Sequence, residues 1–192
     1  MGGPMEALPR DPARTALLVM DLQRPIVERF AAGAQTVLDN AARAIAAARS
    51  RGVRVIYVVV GFRAGFPEVS ARNPLFSALP AGGAFSSEID PRVAPAADEV
   101  VITKHRVGAF HGTDLEMVLR AQSIETLVLC GISTSGVVLS TLRHAADADY
   151  RLIVLRDACM DMDAEVHACL MDKVFPRQAT VVSTAEWVQA LA

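Results

Sequence analysis

Six short runs of aliphatic and β-branched residues recur along the chain, most of them followed by a longer stretch with helical spacing of apolar positions. This alternation limits the fold more than any other feature. The runs at 15–20, 53–60, 99–103, 126–130, 152–155 and 180–182 read as strands buried on both faces, because they are nearly continuous rather than alternating in polarity. Segments 34–51, 114–122, 135–148, 164–174 and 184–191 carry apolar residues at helical intervals, with Gly52 and Pro176 where helix stops belong. Strands alternating with helices imply right-handed crossovers and a three-layer α/β/α domain, doubly wound around a mostly parallel six-stranded sheet.

The stretch 61–98 breaks the pattern. Prolines and glycines interrupt every period there for longer than a connection needs, which reads as a lid or a subunit interface. With 192 residues, 52% of them hydrophobic, the chain is long enough for one substantial core, and residues 15–192 read as a single domain. Residues 1–14, rich in Gly and Pro, read as a flexible arm, too short and polar for a signal or membrane segment. Nineteen basic and 21 acidic residues are spread without a basic stripe, so neither nucleic acid nor a membrane surface is an expected partner; a small molecule is. Cys130, Cys159 and Cys169 are odd in number and lack metal-ligand spacing, so reduced, buried thiols in a cytoplasmic protein are expected.

In open α/β sheets ligands bind beyond the carboxyl ends of the strands, so polar residues at strand exits come first. Asp21 ends the run Thr-Ala-Leu-Leu-Val-Met-Asp-Leu-Gln, where a carboxylate serves either proton transfer or as a turn cap. Lys104 follows the third strand in Val-Val-Ile-Thr-Lys-His-Arg, either solvated or within reach of Asp21 across adjacent strands. Cys130-Gly131-Ile132-Ser133-Thr134-Ser135-Gly136-Val137 runs from a strand through a turn into a helix start, whose N–H groups suit an oxyanion or cap the helix.

Together these places resemble the isochorismatase-like hydrolase superfamily, over roughly residues 15–183. The most specific part is Thr103-Lys104-His105-Arg106-Val107-Gly108-Ala109-Phe110 with Thr113, Leu115 and Leu119. Gly131-Ile132-Ser133-Thr134, with Thr141, Ala145 and Asp157-Ala158 downstream, falls into register with the family's nucleophile turn, and Asp21-Leu22-Gln23 completes the set. In the superfamily's cysteine hydrolases an Asp is the base, a Lys assists, and a Cys six residues after the turn glycine attacks a carbonyl. That position here is Val137, which has no nucleophile, so the covalent mechanism does not carry over. Ser133, Thr134 and Ser135 have no histidine beside them in sequence.

The resemblance further implies a non-proline cis peptide at Ile132-Ser133, an aromatic wall at Phe110, and substrate contacts from Gln23, Arg106, Ile132, Ser133 and Gly136. Isochorismatases, which cleave a vinyl ether by protonation and water attack, dispense with the cysteine. The expectation is a metal- and cofactor-independent hydrolase of a small vinyl-ether or amide metabolite, with Asp21 and Lys104 catalytic, assembled as a homodimer or homotetramer. Residues 61–98 contain no histidine, unlike the metal-binding segment of nicotinamidases. The alternative is a catalytically silent member that binds a small molecule or an assembly partner. Burial would favour Asp21 as an acid and the lysine would favour it as a base, and the sequence leaves both open.

Overall fold

The computed structural model describes residues 11–79 and 86–191, so most of the N-terminal arm and the middle of the long excursion lie outside the described residues. Six strands, β1 (Thr15–Met20), β2 (Arg54–Val60), β3 (Val100–Lys104), β4 (Thr126–Ile132), β5 (Arg151–Met160) and β6 (Thr180–Val182), form one all-parallel sheet in the order β3-β2-β1-β4-β5-β6. Every residue of β1 and β4 is buried, as their unbroken apolar sequences require. The helices are α1 (Arg24–Ser50), α2 (Pro74–Ser77), α3 (Leu115–Ala121), α4 (Leu139–Asp147), α5 (Ala164–Cys169) and α6 (Thr184–Ala190). Right-handed crossovers place α1 over one face, where α6 packs beside it, and carry α3, α4 and α5 over the other.

The chain winds outward from β1 to β3, then restarts at β4 on β1's other side. The order therefore reverses between β1 and β4, and a crevice opens beyond their carboxyl ends. Asp21 leaves β1 there and the Ile132-Ser133 turn leaves β4 there.

Five parts of the chain depart from the sequence expectation for identifiable reasons. Helix α1 begins at Arg24, ten residues before the apolar stripe Ala34, Leu38, Ala41, Ile45 and Ala48 that buries against the sheet. Its first turns, begun by Pro25, present Ile26 and Phe30 only half-buried toward the crevice, so no core-facing period marks them. Strand β5 continues to Met160 past the polar pair Arg156 and Asp157, with a register shift against β4 between Leu129 and Gly131. The segments expected as single helices at 135–148 and 164–174 each contain one turn of π-helix, at Thr134–Val138 and Leu170–Val174. The excursion after β2 contains α2 and a 3₁₀ turn at Pro91–Val93, and an isolated antiparallel bridge ties Ile89 to Gln23.

Several residues that stood out in the sequence hold this frame. Thr141 accepts the Ala109 N–H at 3.1 Å, fixing the segment after β3 to α4. Asp157 accepts from the Thr184 N–H and hydroxyl at 2.7 and 2.8 Å, tying β5 to the start of α6. Thr113 caps the turn before α3 through the Leu115 N–H at 3.3 Å.

Candidate active site

The floor of the crevice is an ion pair. Lys104 is the last residue of β3 rather than a residue beyond it, and its Nζ lies 2.9 Å from Asp21 Oδ2. The two strands are not adjacent, since β2 lies between them, so the lysine side chain crosses the end of β2 to reach β1's carboxylate. Two strand spacings are about 9.6 Å, a gap only a long side chain spans. Both side chains are nearly sealed, at 3% and 8% exposed, and Nζ also donates to the Arg106 carbonyl at 3.1 Å.

Asp21 itself has a left-handed backbone (φ 56°), and its N–H donates to the Val58 carbonyl at 2.8 Å, turning the chain out of the sheet. Burial pushes its carboxyl up to about 6, against the opposing pull of Lys104. Its second oxygen, Oδ1, is buried and has no hydrogen-bond partner of good geometry among the described residues; the nearby Val60 N–H also lowers the carboxyl's pKa but donates to Gln23 at 2.7 Å.

The turn after β4 forms the facing wall. Gly131 (φ 142°) passes so close to β1 that a Cβ would sit 2.0 Å from the Met20 carbonyl oxygen, so no other residue fits without moving a strand. The following Ile132-Ser133 peptide is cis, as the resemblance implied. Ser133, Gly136 and Val137 then line the cavity with Ile132.

Behind that wall a polar cluster secures the turn. Thr134, fully buried, has its hydroxyl 2.8 Å from His167 Nδ1, and the Ser135 N–H donates to Asp161 at 2.7 Å. Burial, reinforced by Arg156, lowers the His167 pKa. The sequence placed no histidine beside this turn; α5 brings one 33 residues away. Thr134 does not line the cavity, so the pair holds the turn rather than facing a substrate. Not all of the expected oxyanion N–H groups point outward: those of Ser135 and Gly136 are committed to Asp161 and to the Ser133 carbonyl.

The cavity enclosed by these parts measures about 250 Å³. Its remaining walls are Val60, Val107, Ile26 and Phe30 of α1, and Phe62, Leu75, Phe76 and Leu79 from the excursion, with Arg29 at the rim. Phe62 and Phe76 meet edge-on at 5.4 Å, and Phe62 also packs edge-on with Phe66 at 5.7 Å. The excursion thus covers the site.

Of the residues expected at the site, Asp21, Lys104, Ile132, Ser133, Gly136 and Val137 converge on this cavity, and Gln23, Arg106 and Phe110 do not line it. Gln23 is wholly buried. Its amide donates to the Val60 and Ser86 carbonyls at 2.9 and 3.0 Å and accepts the Val60 N–H at 2.7 Å, pinning the excursion to β2. Phe110 stacks on His144 of α4 at 4.4 Å, in the layer behind the sheet. Arg106 donates to the His105 carbonyl at 2.6 Å.

Cys130 and Cys159 are buried, and burial holds the first thiol well above its ordinary pKa and pushes the second to about 12. Cys169, expected in the interior, is exposed on α5. Missed by the sequence reading were the rim residues Ile26, Arg29 and Phe30, whose i, i+3, i+4 spacing was the available signal. No three His, Cys, Asp or Glu side chains cluster as metal ligands among the described residues.

A six-stranded parallel sheet with a buried Asp–Lys pair facing a glycine turn at its reversal point defines a hydrolase-type α/β domain. Residues 15–186 match the family described as Isochorismatase domain, and the chain belongs to that family of hydrolases. It is 38% identical over 182 residues to the uncharacterized isochorismatase family protein YecD of Escherichia coli O157:H7, covering 92% of this chain and 96% of that relative. It is 30% identical over 193 residues to ureidoacrylate amidohydrolase RutB of Acinetobacter baylyi, covering 86% and 79% respectively. A solved cysteine hydrolase of Pseudomonas syringae pv. phaseolicola superposes with a TM-score of 0.85 at 27% identity, covering 96% of this chain and 95% of that one. No helix among the described residues is long and apolar enough to cross a membrane.

Proposed function

We propose that this chain is a metal-independent hydrolase of a small metabolite in which Asp21 moves the proton and water, rather than a thiol, is the nucleophile. The observation that carries this reading is Asp21 Oδ1: buried, free of hydrogen bonds, on a carboxyl whose pKa is raised to about 6. A buried acceptor without a partner costs about 1–3 kcal/mol, and its persistence at the floor of a cavity fits an oxygen kept for a reacting proton. A carboxyl half-protonated near pH 6 serves in either direction.

With a vinyl ether, Asp21 gives its proton to the alkene carbon, water adds to the resulting oxocarbenium and gives a proton back to the carboxylate held by Lys104, and the hemiketal then breaks its ether C–O bond, releasing a ketone and an alcohol. With an amide, ionised Asp21 takes a proton from water as the oxygen attacks the carbonyl, and returns it to the leaving nitrogen. Either route needs only Asp21, Lys104 and a water, and Val137 supplies an apolar wall beside them.

The test is pyruvate release from isochorismate and disappearance of ureidoacrylate, each run beside Asp21→Asn. Turnover of either that vanishes in the variant supports the reading. A second reading, a silent member that binds a small molecule, is favoured by the isopropyl group at Val137, which removes the nucleophile position of the superfamily's cysteine hydrolases. Saturable ligand binding without turnover of any amide or vinyl ether would establish it instead.

A further inference from the structure

We propose that Arg29 selects the substrate, by holding one anionic group at the rim of the cavity while the rest of the molecule, apolar and compact, extends inward over Asp21. Among the described residues three charged side chains line the cavity: Asp21, Lys104 and Arg29. The first two neutralise each other at the floor, and Lys104 is already committed to Asp21 and the Arg106 carbonyl. The cation left to bind a ligand is therefore at the rim.

Arg29 is exposed, and its side chain has neither ion pair nor hydrogen bond among the described residues. Eight other arginines are held in ion pairs: Arg14 and Arg151 with Glu125, Arg24 with Glu88, Arg49 with Glu99, Arg63 with Glu68, Arg92 with Asp90, Arg120 with Glu116, and Arg156 with Asp172, among the described residues. Its neighbours on the same helical face, Ile26 and Phe30, also line the cavity, so the guanidinium is the polar end of an otherwise apolar stripe.

The interior fixes the rest of the ligand. Between rim and floor stand Phe30, Phe62, Phe76, Val107 and Val137, surfaces suited to a ring or a short branched chain. A volume of 250 Å³ equals about eight water molecules' share of liquid, so one ring with a one- or two-carbon arm fills it. Guanidinium recognises a carboxylate or phosphate through paired N–H donors, which sets the molecule's direction as well as its charge. The orientation, charge outward and reacting bond inward, rests on the hydrolase reading; the charge selection does not.

The experiment is binding of three probes of similar size and different charge to the full chain by calorimetry: phenylacetate, 2-phenylethanol and phenethylamine. Phenylacetate is expected to bind about tenfold more tightly than 2-phenylethanol, with the amine weakest. Arg29→Gln should bring phenylacetate to within about twofold of 2-phenylethanol, whose own affinity stays unchanged, and Arg29→Lys should restore part of the preference. Added salt should weaken the preference, because the rim is open to solvent. Equal binding of anion and alcohol, no saturable binding of phenylacetate, or a preference that survives Arg29→Gln would overturn the proposal. None of these outcomes depends on turnover, so failure of the hydrolase reading is seen separately in the Asp21→Asn assays.

Discussion

The two ends of the sheet contain similar residues put to opposite use. At the amino ends of β2 and β3, Glu99 receives Arg49 through both oxygens, at 2.9 and 2.7 Å, and also the Ala96 N–H at 2.7 Å. Arg49 further reaches the Tyr57 hydroxyl and the Ala94 carbonyl, at 3.3 and 3.1 Å, so both charged groups of that pair are fully engaged, while the amide oxygen of Gln122 in the same cavity is buried without a partner among the described residues. At the carboxyl ends, Asp21 and Lys104 are more deeply buried, and one carboxylate oxygen is left without a partner. The cavity at the amino end is the larger, about 380 Å³ against about 250 Å³. Size therefore does not distinguish the site, and neither does an unpartnered oxygen alone; a buried carboxyl of raised pKa with one oxygen unpartnered does. An ion pair whose groups are all engaged stabilises, and one whose carboxyl is left open keeps an atom in reserve for a ligand.

The largest effect expected from this difference is catalytic. Asp21→Asn should lower turnover of any substrate found by about 10² to 10⁴, the range for a lost proton-transfer group, whereas Glu99→Gln should leave it within about twofold. Steady-state rates on the two variants decide this, and comparable losses would erase the distinction between the ends.

Stability should separate them next. Lys104→Met leaves a buried carboxylate unpaired and should cost about 3–5 kcal/mol in urea unfolding at pH 8. Arg49→Met removes a pair whose arginine is 41% exposed, and should cost about 1 kcal/mol. The Lys104→Met loss should shrink at pH 5, where Asp21 is neutral. In the native chain the folded pKa of about 6 exceeds the ordinary 3.8, so between those values the folded state holds a proton that the unfolded chain has released. Stability should accordingly fall as pH rises from about 4 to 6, and level off above, through a total of about 3 kcal/mol from this group.

The same titration sharpens the chemistry. A pH profile of kcat/KM that falls above about pH 6 identifies Asp21 as the acid, and one that rises through pH 6 identifies it as the base. An Asp21 limb far from pH 6 would contradict the burial argument.

The smallest effect is at Val137. Val137→Cys in a Cys169→Ser background should change stability by less than about 1.5 kcal/mol, since volume is nearly conserved. Its thiol would border the cavity, whereas Cys130 and Cys159 lie away from it with thiols that burial keeps protonated, so iodoacetamide should label one cysteine and phenylacetate should protect it. Mass spectrometry reads both, and unprotected labelling would place Val137 outside the ligand's path.

What the sequence determined by itself is local. Continuous apolar runs located six parallel strands, fully buried at β1 and β4 but only partly so at the edge strands β3 and β6, where Val101 is 44% exposed, and strand exits pointed to Asp21, Lys104 and the Gly131 turn. The resemblance added the cis peptide at Ile132-Ser133. Tertiary structure alone decided which polar groups remain free, because that depends on atoms distant in sequence. Gln23, next to Asp21-Leu22, is consumed by Val60 and Ser86. Phe110, in the lysine motif, is turned to α4 by His144. Thr134 acquires His167, and Arg29, unmarked in the sequence, reaches the rim because α1 starts ten residues before its core-facing stripe. Hydrogen-bond and charge satisfaction are sums over the whole fold, and no local pattern of residues contains them.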